Sequence, residues 1–232
     1  MGEESIVEVL RSNLSEEYVE DARRRLTESV SKIQEFLDER DKVREEAIRL
    51  SREIIRSSGW AITEIHKGNV DKALEYLGEC EEKTRKLLNM LSSYPDLLYS
   101  GMVYNCVSEY VEARLFIDLI TGNRLRGPEE LGVPPVPYLQ GLGDLVGEIK
   151  RVALELVRLE EYSIAWRLLQ VAEHIYLLLR GLDYPDAIAP GIRRKADIAR
   201  RVVDDLKAML VDLDSRSRLS KLLEESIRLK TH

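Results

Sequence analysis

Two pairs of acidic residues stand out by their surroundings. Glu109 and Glu112 lie in "NCVSEYVEARLF", residues 105–116. Between Leu97 and Ile117 the only charged residues are these two and Arg114, in a chain that is 33% charged. Three residues apart on a helix, they project within about 60° of each other. Asn105 and Phe116 flank them on that face, with Met102 and Ile120 close by. The second pair, Asp144 and Glu148, lies in "GLGDLVGEIKR". Four apart, these two stack on one helix face. They border an apolar stripe of Leu142, Leu145, Ile149, Val152 and Leu156.

A carboxylate in a buried segment is costly unless it is ion-paired, hydrogen-bonded or bound to a metal. If the two helices face each other, four carboxylates meet, repel, and some protonate. A divalent cation resolves the conflict. Oxygen ligands without His or Cys suit Mg²⁺, Mn²⁺ or Ca²⁺ rather than zinc. Such a site polarises a phosphodiester and activates water. Either pair alone is also what an ordinary helix surface offers in an acid-rich chain; their combination points to a site. Di-iron chemistry is disfavoured, because the residues three before His66, His174 and His232 are Thr63, Val171 and Leu229, so no Glu-x-x-His motif is completed. No Walker loop, GxGxxG, nucleophile elbow or HExxH is present. His66 and His174 read as ordinary helix residues.

The elements that must carry these acids are helical. Leu, Glu, Arg, Ala and Lys are plentiful, and four of the seven prolines fall in "GNRLRGPEELGVPPVP". Ser15 can cap a helix whose first turn holds Glu16 and Glu17. Val19, Ala22, Leu26, Val30, Ile33 and Leu37 then recur at steps of three and four, one helical face. This helix is expected to run to about His66, a length suited to a bundle spine or an oligomer contact. Gly68 stops it, and Asn69 is positioned to cap the next helix, which ends near Leu91. The apolar helix of Glu109 and Glu112 follows "SSYPD". Further helices are expected at about 138–159 and 162–179, at "IRRKADIARRVVDDLKAMLVDL", and as a separate closing piece at "SRLSKLLEESIRL". Gly141, Gly143 and Gly147 each cost a helix about 1 kcal/mol relative to Ala, which suggests close approach of another helix or a ligand. No strand-like alternation is seen. The expected fold is all-α, a six- to seven-helix bundle with a very long first helix, in a single domain over residues 1–232.

The chain of 232 residues is long enough to bury a core without disulfides. Its two cysteines, Cys80 and Cys106, form no CxxC pair and read as plain thiols. No apolar run reaches membrane-spanning length, and the acidic start "MGEESIVEV" disfavours a secretory signal. A soluble cytoplasmic protein is therefore expected. The formal net charge of −7 weakly disfavours nucleic acid over the whole surface but leaves room for local basic patches. The densest is "RRKADIARR", with Arg193, Arg194, Lys195, Arg200 and Arg201. Arg193, Arg194, Lys195 and Arg200 are candidate phosphate contacts. Arg23, Arg24 and Arg25 form a second run, surrounded by acids. A solvated basic helix face, or salt bridges to the acidic helices, is the simpler account of either run.

The residues also resemble the translin family. "FLDERDKVREEAIRLSREIIRSS" is similar to its first long helix, and "SEYVEARLF" to the Glu-Tyr-x-Glu-Ala stretch of its Trax branch. "YLQGLGDLVGEIKR" resembles the family's Tyr-Leu-x-Gly-x-x-Asp-Leu-x-Gly-Glu-x-x-Arg signature, and the "YPDAIAPGIRRK" tail fits. The resemblance spans about residues 36–206. It implies an all-α protein assembling into closed oligomers with an internal cavity, an octamer by expectation. It implies single-stranded RNA or DNA as ligand. It also implies, for the Trax branch, a metal-dependent endoribonuclease site of four acids matching Glu109, Glu112, Asp144 and Glu148, with cleavage leaving a 5′-phosphate and a 3′-hydroxyl. With all four acidic, the chain resembles that catalytic branch, in a compact, archaeal-like form that would make a homo-oligomer. It departs at "LLYSGMVYNC", where the binding branch carries histidine and arginine; those contacts do not carry over.

The expectation is thus an endoribonuclease in which the four acids hold one or two Mg²⁺ or Mn²⁺ ions and Glu112 takes the proton of the attacking water. One rival is a non-catalytic single-stranded RNA- or DNA-binding scaffold of translin type. Another is a structural helical assembly with no nucleic-acid role.

Overall fold

The computed structural model describes residues 6–230. The first five residues of the acidic start, and His232, lie outside the described residues. Every regular element among those described is a helix: α1 Ile6–Asn13, α2 Glu16–His66, α3 Val70–Leu91, α4 Pro95–Leu98, α5 Gly101–Ile120, α6 Pro128–Leu131, α7 Pro135–Arg158, α8 Tyr162–Arg180 and α9 Ile192–Lys230. Six of these are long, as an all-α bundle requires. Two differences concern helix ends. The very long helix is α2, of 51 residues, but it comes second, after the short α1. The separate closing helix does not exist, because α9 runs on without a break. The stretch around the join of the two expected pieces, "DLDSRSR", holds no Gly or Pro. One-turn ion pairs span it, Asp212 with Arg216 at 2.8 Å and Asp214 with Arg218 at 2.7 Å.

Two compact units are distinguished, Met1–Glu46 and Ala47–His232. In the first, no described residue is buried. Ser15 caps α2 as expected, its Oγ accepting from the Tyr18 amide at 3.1 Å. The apolar face of Val19, Leu26, Val30, Ile33 and Leu37 is exposed.

The second unit holds the core. α5 is its centre, with twelve of its twenty residues buried, as a helix apolar on nearly every face must be. α7 packs on α5, α8 on α7, α9 on both α7 and α8, and α3 on α5. The second half of α2 meets α3 at Ser58 and Cys80, whose side chains lie 3.0 Å apart, and α5 through His66 and Phe116, ring centroids 4.9 Å apart. Gly68, at φ +81°, ends α2 as expected. Asn69 does not cap α3. Its side chain instead donates to Glu64 Oε2 at 2.7 Å, folding back on the helix just ended.

Two of the three α7 glycines mark close approach. A Cβ on Gly141 would stand 2.6 Å from the Ser108 carbonyl oxygen, so α5 touches α7 there. A Cβ on Gly143 would stand 3.0 Å from Lys195 Cβ, where α9 crosses. Gly147 faces open space, and the expectation fails there. Both thiols are buried and free. Burial pushes Cys80 up to about 12 and Cys106 up to about 11. Among the described residues no helix is long and apolar enough to cross a membrane.

Candidate functional site

The α5–α7 contact sets the geometry. Because Gly141 has no side chain, the two backbones approach at Ser108 and Val111. Glu109 and Glu112 occupy neighbouring positions on α5, and Asp144 and Glu148 follow one and two turns after Gly141 on α7. All four acids are partly buried.

Their electrostatics show that they stand together. Burial raises the Glu109 carboxyl, and the negative charges of Asp144 and Glu148 raise it further, against a lowering influence from Lys195. Glu112 is pushed up to about 8, first by burial, then by Asp144, Glu109 and Glu148, again opposed by Lys195. Each acid on one helix therefore acts on the other pair, which is the facing arrangement expected from spacing. The chain's own positive partners are few. Lys195 of α9 reaches Asp144 in a direct ion pair. His66, from the last turn of α2, places Nε2 2.5 Å from Glu148 Oε2, and Arg151 lies 3.8 Å from the same oxygen. Phe116 packs against the His66 ring and helps hold its orientation. Among the described residues no three His, Cys, Asp or Glu side chains are gathered closely enough to hold a metal ion as they stand.

The basic candidates separate. Lys195 is half-buried and turned toward the acids. Arg193, Arg194 and Arg200 are exposed, and Arg193 pairs with Asp183 at 3.1 Å. The four do not form one patch. Arg24 and Arg25 both bond Asp21. His174 is exposed. His66 is the residue that sequence reasoning missed. It lies 82 positions from Glu148, and no local spacing connects them.

Comparison with known proteins settles the family. The sequence matches the translin family over residues 15–214. The chain belongs to the translin family. The uncharacterized protein MJ0175 of Methanocaldococcus jannaschii is 31% identical over 193 residues, covering 81% of this chain and 85% of that relative. Among solved structures, the AfC3PO complex with duplex RNA superposes with a TM-score of 0.74 at 29% identity, covering 81% of this chain and 97% of that one. Apo-NeC3PO gives 0.71 at 25% identity, over 78% and 95%. The helical order found here, with the acids on α5 and α7, is thus set in a translin fold.

Proposed function

We propose that this translin-family protein is a metal-dependent endoribonuclease of the Trax-like branch, acting on single-stranded RNA. The observation that carries the reading is Glu112. Burial first, and then three neighbouring carboxylates, push its carboxyl up to about 8, and the single ammonium of Lys195 does not offset them. Four oxygen-donor groups with a surplus of negative charge fit a hard divalent cation, Mg²⁺ or Mn²⁺. Glu109, Glu112, Asp144 and Glu148 would hold it. When bound, such an ion supplies Lewis acidity to a phosphodiester and lowers the pKa of water.

The chain's own groups then divide the work. Glu112, ionised once a cation is present, accepts the proton of the attacking water. Water would add to phosphorus, the bond to the 3′ oxygen would break, and that oxygen would take a proton from solvent, leaving a 5′-phosphate and a 3′-hydroxyl. His66 donates a hydrogen bond to Glu148 and fixes that carboxylate's orientation. Lys195, drawn from Asp144, is placed to meet a phosphate. An RNA ligand is supported by the AfC3PO relative, whose structure contains duplex RNA. Assembly as a closed homo-oligomer, an octamer, in the cytoplasm belongs to the same reading.

A second reading draws on Lys195 and His66. Both already compensate acids, which is what a non-catalytic RNA- or DNA-binding scaffold would need. Labelled single-stranded RNA incubated with Mg²⁺, Mn²⁺ or EDTA separates the two. Cleavage that requires the ion and vanishes in Glu109→Gln/Glu112→Gln supports the nuclease. Binding without cleavage under all three conditions supports the scaffold.

A further inference from the structure

A cleft of about 340 Å³ adjoins the acids, lined by Tyr99, Tyr104, Asn105, Gln140 and Lys195 among others. That volume lies at the lower end of the range of small-ligand pockets. Its position follows from helix geometry. Asn105 precedes Glu109 by four residues on α5, and Gln140 precedes Asp144 by four on α7. Four residues rise about 6 Å, the scale of one nucleotide. Lys195 belongs to both places, lining the cleft and pairing with Asp144.

The lining has the chemistry of nucleobase recognition. Tyr99 and Tyr104 stand edge to face, ring centroids 6.5 Å apart, and Tyr99 is 62% exposed. An exposed ring beside a partly buried one offers a flat base both a stacking face and an edge. Asn105 carries an exposed amide at the rim. Gln140 spends its amide N–H on the Pro190 carbonyl at 2.8 Å, which fixes its side chain and leaves its carbonyl oxygen as an acceptor. The wider depression around Asp183, Asp186, Arg193, Arg194, Asp197 and Arg201 mixes both charge signs and has no aromatic ring.

We propose that this cleft binds one unpaired nucleobase of a single-stranded RNA, in the nucleotide next to the bond presented to the four acids. Tyr99 and Tyr104 supply the stacking surface, Asn105 and Gln140 read the base edge, and Lys195 contacts the phosphate between cleft and acids. The proposal rests on the nuclease reading for its geometry, but binding tests it without cleavage.

The measurement is fluorescence anisotropy in EDTA with short labelled oligo-A and oligo-U and with a blunt RNA duplex of similar length. Tyr99→Ala and Tyr104→Ala should each weaken single-strand binding about ten-fold and leave duplex binding unchanged. Asn105→Asp exchanges donors for acceptors, so it should change the ratio of oligo-A to oligo-U affinity. Tyr99 and Asn105 are exposed, so those two variants test the idea even where Tyr104→Ala disturbs folding. Three outcomes overturn the pocket: unchanged single-strand affinity in the Tyr99 variant together with an unchanged base ratio in the Asn105 variant, equal losses on single strand and duplex, or no single-strand binding by the wild type. Ion-dependent cleavage is scored separately, and its failure leaves this result standing.

Discussion

Helix α5 settles buried charge in two different ways within ten residues. Toward its C-terminal end, Asp118 is 1% exposed and is closed by protein cations: Arg114 Nε at 3.2 Å and Arg126 Nε at 3.7 Å. Arg114 in turn reaches Glu81 at 3.7 Å. About two turns earlier, Glu109 and Glu112 face two more acids; Lys195 is the one cation that acts on this pair, while His66 and Arg151 engage only Glu148. The first cluster is matched in charge as folded, although burial still raises the Asp118 carboxyl against the lowering influence of Arg114. The second carries a surplus of negative charge, and a fold keeps such a surplus at a cost in stability. The difference teaches that apolar surroundings do not by themselves mark a site; an absence of matching charge does.

The largest expected effect breaks the completed cluster. Asp118→Ala leaves the buried Arg114 with only Glu81 at 3.7 Å to balance it, while Arg126 can turn to solvent, and we expect a loss of about 3 kcal/mol in denaturant unfolding. A loss below 1 kcal/mol would mean that the pair is not what balances that end of α5. Next comes the pH dependence of the incomplete cluster. Glu112 holds its proton to about pH 8 when folded, against about 4.5 when unfolded. The folded chain binds the extra proton between those values. This contribution is therefore full below about pH 4.5 and disappears as pH rises through 8, on the order of a few kcal/mol. Urea titrations in EDTA should show stability falling over that window. Adding Mn²⁺ at pH 8 should recover it, and Glu112→Gln should flatten the slope. A pH-independent wild type would remove the basis for contrasting the two ends.

A smaller effect tests the contact that crowds the acids. Gly141→Ala must push α7 from α5 and should cost about 1–3 kcal/mol. It should also bring Glu112 back toward its ordinary range, measurable by carbon-13 NMR titration of the carboxyl. An unshifted Glu112 in a destabilised variant would uncouple crowding from helix spacing. Smallest is Gly147→Ala, with open space around the new methyl; it should stabilise α7 by up to about 1 kcal/mol and leave Glu112 untouched. Thermal melts and the same titration check it.

Much of this arrangement is legible from local rules. The long α2, its Ser15 cap and its Gly68 stop follow from period, capping and backbone freedom acting within a few residues. The four acids are legible because each pair obeys helical spacing, and the α7 glycines imply that another helix approaches. What escapes is whatever depends on a partner distant in sequence. His66 gains meaning only because α2 ends beside α7. Lys195 looks like one of four basic neighbours until α9 turns it inward and leaves Arg193, Arg194 and Arg200 outside. Asn69 had a standard cap available through its side-chain oxygen, but its amide N–H finds the charged Glu64 carboxylate and turns the side chain that way, a choice that composition does not decide. The continuity of α9 was obscured, although the expected join holds no Gly or Pro to stop it, and the one-turn pairs Asp212–Arg216 and Asp214–Arg218 carry the helix through.

The two buried thiols have a practical consequence. Alkylating reagents attack the thiolate, and Cys80 and Cys106, held at about 12 and about 11, offer almost none at neutral pH. The unaltered chain is thus a silent background for maleimide chemistry. A cysteine introduced at an exposed site such as Leu177, 59% accessible, would take a fluorophore alone. A second introduced cysteine would supply the acceptor of a donor–acceptor pair, and distances could be read without first removing either native cysteine.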